Sequence, residues 1–74
     1  MSERPILFTE HAVRRYVSLN LNPELVRETI KLGKRERVGK AKWRAVRRTK
    51  RGTVVVIFAE YADQIKVITI TRGK

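Results

Sequence analysis

Cysteine is absent from the 74-residue chain, and histidine occurs once, as His11. Disulfides and thiolate zinc sites are therefore excluded, and one histidine cannot build a histidine-rich metal centre. No metal or cofactor is expected. The lack of cysteine fits a cytoplasmic protein. Long apolar runs are also missing: the longest, VVVIFA (54–59), is strand-sized, well short of the roughly 20 residues of a membrane span. The opening MSERPILF carries an acid and no long apolar region, so it does not read as a signal peptide. No Gly-rich phosphate loop, carboxylate pair or nucleophile-with-base spacing is visible, which removes the usual kinase, hydrolase and metalloenzyme readings.

Acidic residues are scarce. Seven Asp and Glu stand against eighteen Lys and Arg, a formal net charge of +11. That exceeds what solubility asks of a small domain and points to polyanions as partners. The excess is local. Residues 34–51, KRERVGKAKWRAVRRTKR, hold ten basic residues and one acid, Glu36, while the rest of the chain is close to balanced.

At this length the chain is expected to be one domain, residues 1–74, with a small core. PILF (5–8) reads as a first strand. Thr9 is a good N-cap for a helix running from Glu10 to about Leu19. At 100° per residue, Ala12, Val13, Tyr16, Val17 and Leu19 gather on one face, and His11, Arg14, Arg15 and Ser18 on the other. Asn22 caps a second helix with Pro23 in its first position. Leu25, Val26, Thr29 and Ile30 form its inner stripe, and Gly33 is expected to end it in left-handed conformation. The short connection predicts an antiparallel helical hairpin.

Beyond Gly33 the period becomes two. In AKWRAVRR (41–48), Trp43 packs with Ala41 and Ala45, opposite a mainly basic face. TVVVIFAEY (53–61) has no alternation and is expected to be a central strand covered on both faces. IKVITIT (65–71) places Ile65, Val67, Thr69 and Thr71 on one face and Lys66, Ile68 and Ile70 on the other, with Arg72 continuing the second. Residues 34–40 are either a short edge strand or a basic loop. The expected fold is α+β: a strand, a helical hairpin, then a three-stranded antiparallel meander, with the helices on one face of the sheet.

ILFTEHAVRRY, the helix start NPELV and the final GTVVVIFAEY…QIKVITI resemble a family of short prokaryotic domains placed near the RelE/ParE-like toxins. The resemblance covers nearly the whole chain. It rests on order and pattern, with Thr9, His11, Ala12 and Arg15 forming a T-x-H-A-x-x-R motif. It implies a RelE-like fold and a compact basic domain that cleaves RNA without metal, often on the ribosome, and is neutralised by an acidic antitoxin; ParE-like relatives instead poison a topoisomerase. By position, Arg44, Arg48, Tyr61 and Arg72 match places where RelE-like proteins carry functional side chains.

Metal-free RNA scission needs a base for the 2′-OH, cations for the charged phosphorane and an acid for the leaving oxygen. His11 is the natural base, since histidine changes charge near neutral pH. Arg44 supplies a cation and Tyr61 an acid or a stacking ring. Arg14, Arg15, Lys42, Arg47, Arg48, Lys50, Arg51 and Arg72 are the expected nucleic-acid contacts. Each has a plainer role available: a capping or surface histidine, solvated charges, Tyr16 and Trp43 in the core, and Glu60 in a salt bridge. Two further functions compete with endoribonuclease: a non-catalytic nucleic-acid-binding module, and a domain whose basic face receives an acidic protein. Neither helix has the basic, aromatic-rich form of a membrane-surface segment.

Overall fold

The computed structural model describes residues 4–50 and 52–73. The order is β1 (Ile6–Phe8), α1 (Glu10–Ser18), α2 (Pro23–Leu32), β2 (Lys34–Arg37), β3 (Lys42–Thr49), β4 (Gly52–Glu60) and β5 (Ile65–Gly73). The strands form one sheet in the order β1-β5-β4-β3-β2. β5, β4, β3 and β2 pair antiparallel, whereas β1 lies parallel to β5, with Ile6 opposite Ile65 and Phe8 opposite Val67.

Both helices begin as their local chemistry dictates. Thr9 Oγ1 accepts the Ala12 N–H, and Asn22 Oδ1 accepts the Glu24 N–H, each satisfying a donor of the first turn. One core joins Ala12 of α1 and Val26 and Ile30 of α2 to Ala45, Val54, Val56, Phe58, Ile65, Val67 and Ile70 of the sheet. Because same-face residues alternate along a strand, both helices cover one face of the sheet.

Several sequence expectations are corrected. The fold is not a helical hairpin followed by a three-stranded meander: the sheet has five strands and is mixed. The helices do not pack chiefly on each other; α1 rests on β5 and β1, and α2 on β3 and β4. Of the two alternatives for residues 34–40, the edge strand is the one found: KRER (34–37) pairs with β3. β4 is the central strand, yet it is covered on only one face, since both helices lie on the side of Val54, Val56 and Phe58. The face pattern of β5 also changes. Ile57 stands opposite Thr69 and Phe58 opposite Val67, which leaves Ile68 as an extra residue. This bulge shifts the alternation by one, so Ile70 joins Val67 in the core. Val17, expected on the inner stripe of α1, is 65% exposed.

Gly33 is extended (φ −72°, ψ 164°), not left-handed. Its reason is space. A Cβ there would run into the Thr29 carbonyl oxygen and come to 2.8 Å from that of Val46, where the chain passes from α2 into the sheet.

β1 is too short to cover the whole edge of β5, and α1 covers what it leaves. Thr9 N–H donates to Val67 O (3.1 Å), Thr9 Oγ1 to Ile68 O (3.2 Å), Arg15 Nε to Ile70 O (3.1 Å) and Arg72 Nη1 to Leu19 O (3.3 Å). The Val67, Ile68 and Ile70 carbonyls, which could template pairing with another chain, are thereby occupied.

Candidate nucleic-acid interface

The uncovered face of the sheet follows from the strand registers, because residues directly opposite in a ladder share a face. Its rows run across the strands. Lys42, Ala59, Lys66 and Leu7 form one. The next contains Glu36, Arg44, Ile57 and Thr69. Lys34, Val46, Val55 and Thr71 make the third, and Arg48 stands opposite Thr53 in the fourth. The face therefore carries a half-buried aliphatic strip, Val46, Val55 and Ile57, flanked by cations and threonine hydroxyls. From Lys42 to Arg48 it extends about 20 Å along β3.

Charge is unevenly distributed over the molecule. On the helix side and at the N-terminal end, five arginines meet carboxylates. Arg14 pairs with Glu10 (2.6 Å), Arg27 with Glu24 (2.8 Å) and Arg47 with Glu28 (2.7 Å). Glu60 receives both Arg4 (2.9 Å) and Arg35 (3.2 Å), fulfilling the salt-bridge role expected of it. On the open face the pattern reverses. Among the described residues Arg44 has only Glu36, at 3.8 Å. Lys34, Lys42, Arg48 and Lys66 have no ion pair or hydrogen bond among the described residues. Five cations with a distant acid or none among the described residues thus share this face.

His11 sits at the edge of the same surface. Its Nε2 shares a hydrogen bond of 3.0 Å with Thr69 Oγ1. Thr69 stands opposite Ile57, which stands opposite Arg44. His11, through Thr69, and Arg44 therefore belong to one cross-sheet row, with two strand spacings, about 10 Å, between the backbones of Arg44 and Thr69.

The other expected site residues divide into groups. Lys42 and Arg48 join Arg44 on the open face. Arg47 points to the opposite side, toward α2. Arg15 is occupied in clamping β5, and Arg14 lies outward on α1 beside Glu10. Lys50 and Arg72 border a separate cavity near the β3–β4 turn. Arg51 lies outside the described residues. Tyr61 is exposed just past β4, its backbone held by Arg4 Nη1 and by the Gln64 carbonyl. It is four residues beyond Ile57, about 13 Å along the strand, and is not brought to the His11–Arg44 row. Trp43 is half-buried against the core, as is Tyr16, whose ring meets Phe8 edge-on at 5.4 Å.

Sequence reasoning missed Lys34, Lys66, Thr69 and Thr71 as members of this surface. The period-two pattern of KRER would have placed Lys34 with Glu36, but only register shows that Glu36 faces Arg44. Among the described residues no helix is long and apolar enough to cross a membrane, and no three His, Asp or Glu side chains gather where a metal ion could bind. Neither protein-family models, nor curated proteins, nor solved structures give a match to this chain, so the likeness to RelE/ParE-like toxins stands on the sequence features alone.

Proposed function

We propose that the protein binds single-stranded RNA on the open face of its sheet. The observation that carries this reading is the charge arrangement. Carboxylates meet Arg14, Arg27, Arg35 and Arg47 away from this face, while around the aliphatic strip Lys34, Lys42, Arg48 and Lys66 have no partner among the described residues. Phosphates meet the cations, and unstacked bases and riboses lie against Val46, Val55 and Ile57. The hydroxyls of Thr53, Thr69 and Thr71 offer partners to the ribose 2′-OH, which distinguishes RNA from DNA. Duplex DNA is a poorer fit, because its major groove takes a protruding helix or two-stranded ribbon and this face is a broad sheet. The test is binding of a single-stranded RNA followed by fluorescence anisotropy. Charge reversal with Arg44→Glu and Arg48→Glu should abolish binding, and Arg47→Glu should leave most of it. Equal losses in both proteins would overturn the assignment.

A second reading, RNA scission in the manner of RelE-like toxins, is favoured by the His11–Thr69–Arg44 row. There His11 takes the 2′-OH proton, the 2′-oxygen attacks phosphorus, and Arg44 stabilises the phosphorane. The P–O5′ bond breaks to leave a 2′,3′-cyclic phosphate and a 5′-hydroxyl, with solvent returning a proton to O5′. Tyr61 takes no part in this geometry. An end-labelled RNA incubated with the protein in chelator, uncut at every enzyme concentration, would remove this second reading and leave binding intact.

A further inference from the structure

A second concavity lies away from the open face. It has a volume of about 320 Å³ and is formed where the α1–α2 connection faces the β3–β4 turn and the end of β5. Leu21, Leu25 and Val54 give it an apolar floor. Val54 and Arg72 are opposite one another in the β4–β5 ladder on the helix-covered side, so this cavity shares no wall with the open face.

Its polar groups are donors and carboxamides. Lys50 reaches it from the β3–β4 turn and has no partner among the described residues. The Arg72 side chain borders it, and its Nη1 donates to Leu19 O. Asn20 stands in left-handed conformation, φ 57°, a region asparagine tolerates better than most residues. The tight turn there is held by backbone bonds, Asn20 N–H to Val17 O and Leu21 N–H to Tyr16 O. The Asn20 side chain takes no hydrogen bond among the described residues. Asn22 uses its Oδ1 to cap α2, which leaves its amide nitrogen available. Among the described residues no carboxylate lines the cavity.

We propose that this cavity binds a nucleoside monophosphate, with the base on Leu21, Leu25 and Val54 and the phosphate between Lys50 and Arg72. The volume falls at the small end of ligand pockets. Cations of this kind bind phosphate by charge-assisted hydrogen bonds. A carboxamide pairs with the edge of a base, because it offers a donor and an acceptor side by side. A simple aliphatic acid would use the floor and the cations but leave both asparagines unused. The same chemistry can come from a free nucleotide or from the phosphorylated 5′ end of an RNA strand.

Equilibrium dialysis with adenosine 5′-monophosphate, adenosine and inorganic phosphate tests the assignment on the intact chain. The monophosphate should bind saturably, and each fragment at least about tenfold more weakly, the scale of one charge-assisted contact. Lys50→Glu should weaken the monophosphate by about tenfold. Asn20→Gly keeps the backbone conformation, removes the carboxamide, and should also weaken it. Arg44→Gln with Arg48→Gln should leave it unchanged, which separates this site from the RNA-binding reading. In that double variant, a short RNA with a 5′-phosphate binding more tightly than the mononucleotide assigns the pocket to strand ends; the reverse assigns it to free nucleotide. Binding indifferent to both Lys50→Glu and Asn20→Gly, inorganic phosphate as tight as the nucleotide, or no binding of mononucleotide or phosphorylated RNA would each overturn the proposal.

Discussion

Replacing Arg44 and Arg48 together with glutamine separates a charged face from a merely charged protein. Five cations project from the open face: Lys34, Lys42, Arg44, Arg48 and Lys66. For single-stranded nucleic acid, log Kobs falls with log salt by about 0.7 per phosphate contact. If all five engage phosphate, the slope is about −3.5, and removing two brings it to about −2. Between 50 and 200 mM salt, affinity should then fall by about a hundredfold in the wild type but by about twentyfold in the variant. The matched control is Arg27→Gln with Arg47→Gln, which removes the same charge from the helix side. Those arginines already face Glu24 and Glu28, and fields from exposed charges are screened beyond about 10 Å at 0.1 M salt. The control slope should stay within error of the wild type. Anisotropy of a labelled RNA over a salt series reads both. Equal flattening in the two variants would mean that net charge, not the open face, governs binding.

Other outcomes follow from single contacts. His11→Ala should slow any metal-independent RNA cleavage by about 10²–10⁴ in rate, while binding measured by anisotropy falls by no more than about tenfold, the scale of one charge-assisted contact. Gly33→Ala should cost about 1–3 kcal/mol in urea melts from steric overlap alone, because its backbone angles suit alanine and only the Thr29 and Val46 carbonyls stand in the way. A neutral result would mean that the passage from α2 to β2 relaxes freely. Arg15→Ala should destabilise by about 1.5–3 kcal/mol, the scale of a charged hydrogen bond, and should raise the exchange rate of amides along β5, since it bares the Ile70 carbonyl. Unchanged exchange would contradict the edge-clamping role.

The parts of the fold written in local sequence were legible. Thr9 and Asn22 cap their helices because a short polar side chain followed by a helical period is a local signal, and Pro23 marks the first turn. Ala12, Val26, Thr29 and Ile30 were readable from spacing alone. What escaped depends on distant partners. The β1–β5 pair joins residues 6–8 to residues 65–67 in parallel, and no run of side chains announces that meeting. A bulge leaves no mark in IKVITIT, where every residue suits a strand, so Ile70 was placed on the wrong face. The continuous VVVIFA run suggested burial on both sides; Val55 and Ile57 instead line the open surface. An apolar residue beneath a helix and one on a binding face look alike in sequence.

The site was legible in composition more than in geometry. The basic segment 34–51 was visible at once, but alternation sends Arg44 and Arg48 to one side of β3 and Arg47 to the other. Arg15 and Arg14 were equal candidates on a helical wheel. The edge of β5 consumes the first and Glu10 holds the second. His11 reaches the open face only because α1 runs along β5 close enough for its ring to meet Thr69.

The most direct measurement is residue-resolved chemical-shift mapping of the ¹⁵N-labelled protein titrated with a short single-stranded RNA lacking a 5′-phosphate. Binding on the open face predicts that the amides of Lys42, Arg44, Val46, Val55, Ile57, Thr69 and Thr71 move together and saturate with one dissociation constant. Shifts centred on Arg27, Glu28 and Arg47, with those seven amides still, would contradict it.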